Sequence, residues 1–145
     1  MRKSILTIFI ILFWGINSVA QTVVGEIIDD KPIVTCDKEK LISIYERNLL
    51  KASGIDAKFN DIVIDSYEGQ YYVFFIGEEI KSAFSAELSG TLIVIDGENL
   101  TCTTTDCSSE TFGCIPLKLT KSCTKCANKG KCTKVISENS LLKEE

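Results

Sequence analysis

Hydrophobic and polar positions change their period several times along the chain, and each change marks an element. Arg2-Lys3, an apolar run from Ile5 to Ile16 and small residues at Ser18 and Ala20 have the three-part order of an export signal, with cleavage expected before Gln21. The run is too short to cross about 30 Å of hydrocarbon, so removal is expected rather than anchoring, and no membrane span is expected afterwards. Gln21 to Val34 holds two β-branched runs around Asp29-Asp30-Lys31-Pro32, which predicts a strand or hairpin. From Lys38 to Ala52 the apolar residues Leu41, Ile44, Tyr45 and Leu49 recur mostly at three- and four-residue intervals. With Asp37 placed to cap the start and Gly54 just past the end, this predicts one amphipathic helix.

Shorter β-forming runs follow: Asp61 to Tyr67, Gln70 to Ile76, Ser82 to Leu88 and Thr91 to Ile95, punctuated by Glu68-Gly69, Gly77-Glu78-Glu79, Ser89-Gly90 and Asp96-Gly97. That spacing predicts antiparallel hairpins in series, a β-meander. The run from Tyr71 to Ile76 is apolar on both faces and should be central, whereas Ser82 to Leu88 is mixed and should keep one wet face. The expected fold class is α+β, one helix packed on an antiparallel meander, extended by a C-terminal Cys-rich, disulfide-bonded segment. The expected segments are a signal peptide at 1–20, an α+β core at 21–98, the Cys-rich segment at 99–135 and a flexible tail at 136–145.

Composition sharpens this picture. The leader holds the only Met and the only Trp of the 145 residues, and losing Arg2 and Lys3 takes the formal charge from −4 to −6. A net negative chain is not drawn to nucleic acid. There is no His, which removes imidazole metal ligands and the Ser-His and Cys-His nucleophile pairs. No enzyme is expected from this inventory, and no cofactor. Charge is also segregated. Residues 21–98 hold 15 acids against 7 bases, while Lys118, Lys121, Lys125, Lys129, Lys131 and Lys134 have no acid among them between Cys114 and Val135. Five of these, Lys118, Lys121, Lys125, Lys129 and Lys131, are candidate contacts for an acidic protein or polysaccharide.

Six cysteines, Cys102, Cys107, Cys114, Cys123, Cys126 and Cys132, crowd into the segment where aliphatic residues thin out. On an exported chain they read as three disulfides that close a region with little core of its own, in one of 15 possible pairings. The alternative is a zinc site in which Cys102, Cys107, Cys123 and Cys126 act as two knuckles of a tetrathiolate, or thiol–disulfide exchange through the C-x-x-C at Cys123 and Cys126. Cys36 is the odd one and is expected to be a free thiol. Secretion, or export to a periplasm, is the compartment that fits.

Gln21-Thr22-Val23-Val24-Gly25 matches the Q-x-V-x-G motif of cystatin-type protease inhibitors, and a helix followed by four antiparallel strands resembles the cystatin topology. In that family the motif lies on the hairpin after the helix, a position held here by Glu68-Gly69, and the later Pro-Trp has no counterpart. The resemblance implies an arrangement of elements rather than inhibition. Asp29-Asp30 and Glu78-Glu79 fall in expected turns as solvated acids, and Asn99-Leu100-Thr101 is a glycosylation sequon.

Overall fold

A computed structural model describes residues 21–95 and 100–144. The expected signal at 1–20, Asp96-Gly97 and the sequon residue Asn99 lie outside the described residues. The fold is α+β, with one helix, a large antiparallel sheet and three disulfides in the C-terminal region.

Strands β1 (Thr22–Ile28) and β2 (Lys31–Val34) form a hairpin whose turn residues Asp29 and Asp30 have φ of 49° and 59°. Two left-handed residues in a row match the twist of the flanking strands, and Asp tolerates that conformation better than most. Helix α1 (Lys38–Ser53) begins where Asp37 accepts the Lys40 N–H at 3.0 Å, and ends at left-handed Gly54, whose N–H bonds the Leu50 carbonyl at 2.8 Å. Strands β3 (Asp61–Tyr67), β4 (Gln70–Ile76), β5 (Lys81–Ser89) and β6 (Leu92–Ile95) then pair consecutively, each antiparallel to the last. Strand β6 also pairs with β1, giving the order β3-β4-β5-β6-β1-β2.

The register along β1 shifts between Val23 and Gly25. A Cβ at Gly25 would collide with the Ile33 carbonyl and with Ile64 Cδ1, so the missing side chain lets β1 sit tightly against β2 and β3, the two ends of the strand order. The sheet is thereby curled nearly into a barrel. One side of it closes over helix α1. Tyr45, Leu41 and Leu49 pack with Ile62, Val73, Phe75, Phe84 and Ile93 in the main core, and the Tyr45 ring lies 4.6 Å from Phe75 and 5.2 Å from Phe84. The Tyr45 hydroxyl donates to Thr101 Oγ1 at 3.2 Å, which satisfies a wholly buried phenol.

Beyond residue 99 the chain stays in the same sheet. Strand β7 (Leu100–Thr104) pairs with the first half of β5, and β10 (Thr133–Ile136) pairs with β7. From Ala83 to Glu87 the chain advances four residues, whereas their partners Cys102 and Val94 are eight apart, so β6 and β7 line one edge of β5 in two registers. The cysteine-rich segment therefore shares its strands with the body and begins inside its sheet.

Two expectations change. The first half of β5 has no wet face: Lys81 and Ala83, on the side away from the helix, are 2% and 0% exposed because the cysteine-rich segment covers them. Alternation within one strand carries no record of a cover supplied thirty residues later. Nor do residues 136–144 form a loose tail. Leu141 and Leu142 are buried in the main core, and Asn48 Nδ2 donates to the Leu141 and Lys143 carbonyls at 3.2 and 2.9 Å. The helix partner that fixes this segment lies almost a hundred residues upstream.

Candidate functional site

The cysteine-rich segment is a lid over the second face of the sheet. Tyr72 and Phe74 of β4 and Ala83 of β5 meet Ile115 and Phe112 there, and Phe112 stacks on Tyr67 with ring centroids 4.8 Å apart. This second cluster is small, and covalent bonds complete it. Cys102 pairs with Cys123, Cys107 with Cys126 and Cys114 with Cys132. Each pairing crosses the other two in sequence, so no bridge can be lost without loosening a loop that another bridge threads past. Each closes about 20 residues, a loop size for which a bridge contributes about 2–4 kcal/mol in the chain-entropy account.

Hydrogen bonds fill in between the bridges. Thr104 Oγ1 donates to the Lys131 carbonyl at 2.7 Å and accepts the amides of Asp106 and Cys107 at 3.1 and 3.2 Å. The Glu110 carboxylate takes the amides of Ala127 and Asn128 at 2.8 and 3.0 Å, and Asp106 takes that of Lys131 at 2.7 Å. Under the lid the Lys81 ammonium donates to the Glu110 and Thr111 carbonyls and lies 5.4 Å from the centre of the Phe74 ring. Burial pulls its ionisation below the usual lysine range, opposed by Glu110. Lys81 thus pins the lid to the sheet.

This geometry bears on the thiolate alternatives. The four candidate zinc ligands are joined as Cys102–Cys123 and Cys107–Cys126, so they are not gathered as free thiolates. The three sulfurs that come within 4.8 Å of one another are those of Cys102, Cys123 and Cys132, a different set. Cys123 and Cys126, the pair offered for disulfide exchange, bond to different partners and not to each other. Cys36 is free and half-buried just before the helix cap, and burial raises its thiol ionisation, away from a reactive thiolate.

The candidate lysines Lys118, Lys121, Lys125, Lys129 and Lys131 are all exposed on the lid. They are less isolated from acids than the sequence suggested. Lys118 pairs with Glu87 of β5, and the Lys131 amide sits on Asp106. Lys118 and Lys121 flank the turn of a small hairpin, β8 (Pro116–Leu117) and β9 (Ser122–Cys123), where Lys121 takes a left-handed φ of 49°. At its tip Leu119 is fully exposed, at 101%. Cys114 just before the hairpin and Cys123 within it are both bridged, so the tip stands on a braced base.

Between this hairpin and the β3–β4 turn lies an open cleft of about 380 Å³. Its walls are Tyr67, Tyr72, Ile115, Pro116, Leu117 and Leu119, and it carries the exposed Glu68 and Lys118. Tyr72 is 6% exposed, yet its hydroxyl has no hydrogen-bond partner among the described residues. Burial, then the nearby Glu68 and Tyr67, raise its ionisation, so it is a neutral donor.

No protein-family model matches this chain, and comparison with the curated proteins and with the solved structures gives no match. The site must be read from its own residues. Of the Q-x-V-x-G residues, Gly25 is pressed against β2 and β3, whereas Val23 is 43% exposed on strand β1. Thr101 of the sequon is buried, donating to the Ala83 carbonyl at 3.0 Å. The cleft and Leu119 were missed by sequence reasoning, although the alternation Ile115, Leu117, Leu119 beside lysines was a signal for them.

Proposed function

We propose that this chain is an exported binding protein, not an enzyme, and that it holds an acidic protein partner through the β8–β9 hairpin. The observation that carries this reading is Leu119, wholly exposed between Lys118 and Lys121 on a hairpin whose base is bridged. An isolated, fully exposed aliphatic tip on a rigid support fits an anchor that a partner buries, and rigidity limits the entropy lost on binding. Flanking lysines supply charge complementarity, which acts on encounter rate and specificity. Export is supported by the leader pattern and by three disulfides, which persist in oxidising compartments. Among the described residues no helix is long and apolar enough to cross a membrane.

The test is binding of the mature protein to poly-glutamate, with heparin as the polysaccharide rival. Retention of poly-glutamate at low salt is expected. It should fall by about tenfold in a Leu119→Ser, Lys121→Glu variant, which leaves every buried residue in place. Equal binding by the variant would contradict the reading, and binding to heparin alone would transfer it to polysaccharide.

A further inference from the structure

We propose that the cleft between the β3–β4 turn and the β8–β9 hairpin seats one large apolar side chain of an acidic peptide segment, with the Tyr72 hydroxyl donating to that segment's backbone carbonyl. The proposal rests on the hairpin being the contact surface and names what it contacts.

Three observations converge on this occupant. The first is size and lining: about 380 Å³ walled mainly by aromatic and aliphatic groups, within the range of sites that bury a compact ligand. The second is Tyr72. Its ring is largely buried under the lid, the residue lines the open cleft, and its hydroxyl has no hydrogen-bond partner among the described residues. A neutral hydroxyl in a peptide-sized cleft asks for an acceptor, and a peptide carbonyl is the acceptor every partner segment carries. The third is charge. Lys118 contributes to the cleft, and Lys121 and Lys125 stand exposed on the same hairpin and the loop after it without an ion-pair partner among the described residues. Lys118 and Glu87 offset each other as an ion pair, so the uncompensated charges are Lys121 and Lys125 beside the cleft and Glu68 in its wall. The surroundings therefore favour carboxylates beside the buried side chain, and Glu68 disfavours one directly at the tyrosine end. A second copy of this chain, whose body is acidic, is the rival occupant.

The probe is a set of fluorescein-labelled heptapeptides with three glutamates on each side of a central phenylalanine, leucine or serine, read by anisotropy against the oxidised mature protein. The phenylalanine and leucine peptides should bind at least about tenfold tighter than the serine peptide. Tyr72→Phe, which removes one oxygen, should weaken the phenylalanine peptide about 3- to 10-fold with unchanged thermal unfolding. Leu117→Asn on the exposed cleft wall should do the same, giving a second variant that spares the core. Lys121→Glu should weaken all three peptides alike. If the peptides bind equally and Tyr72→Phe is silent, the hairpin reading survives and the cleft assignment is overturned. If none binds, both fall. Concentration-dependent dimerisation abolished by Leu117→Asn would also overturn the assignment, by making the occupant a second copy.

Discussion

The two faces of strand β4 are covered in different ways. Val73 and Phe75 belong to a core of eighteen buried residues drawn from the helix, the sheet, the loop before β3 and the C-terminal segment, whereas Tyr72 and Phe74 are half of a cluster of four. The first cover is held by area, since burying each large apolar side chain contributes about 1.5–3 kcal/mol. The second cover has too few apolar contacts to order thirty residues of turns, and three crossed disulfides supply the difference by restricting the unfolded segment. A lid built that way keeps its shape without a large core, which leaves aliphatic residues such as Leu117 and Leu119 available at the surface.

The contrast is broken most forcefully by reduction. With all three bridges reduced, amides of residues 107–132 are expected to lose hydrogen-exchange protection while helix α1 keeps its far-ultraviolet signal, each bridge removing about 2–4 kcal/mol from the lid. Next in size are truncations in the two clusters. Ile115→Ala in the lid and Leu141→Ala in the C-terminal segment should each cost about 2–5 kcal/mol in urea unfolding, since both side chains are at most 1% exposed. A negligible cost for Leu141→Ala would return 136–144 to the status of a loose tail. Smaller again is Asn48→Ala, which leaves the Leu141 and Lys143 carbonyls without their amide donor and should cost about 1–3 kcal/mol.

The smallest effect is electrostatic and lies in the body. The hydrogen bond from Lys38 holds the Asp61 carboxyl below its usual range. A carboxyl lowered on folding stabilises above its unfolded pKa near pH 4, and that contribution fades as pH falls through the folded value. Both side chains are more than a third exposed, so solvent screening keeps the effect below about 1 kcal/mol. Lys38→Met should flatten the acid limb of the stability curve by that amount, and an unchanged limb would remove the pair from the account.

The body was legible because its signals are local. Asp37 and Gly54 bracket the helix, and Glu68-Gly69 and Ser89-Gly90 sit at hairpin turns between runs whose lengths nearly equal the strands. The lid was legible only as chemistry. Six clustered cysteines announced crosslinks, yet crossed connectivity depends on where β7 and β10 enter the sheet, which no local pattern encodes. Burial of Lys81 and of Leu141 escaped for the same reason, since each is covered by a segment distant in sequence. The candidate lysines were found by charge alone, whereas the cleft beside them needs Tyr67 and Tyr72 from one hairpin and Leu117 from another.

The account's central claim is that the cysteine-rich segment is a covalently held cover on the sheet, distinct in its means of stability from the body beneath. Hydrogen exchange read by mass spectrometry on oxidised and fully reduced protein tests it most directly. The account predicts that reduction exposes the lid peptides covering 107–132, while helix α1 and strands β3 to β6 remain protected. Lid protection that survives reduction, or a body that unfolds together with the lid, would contradict it.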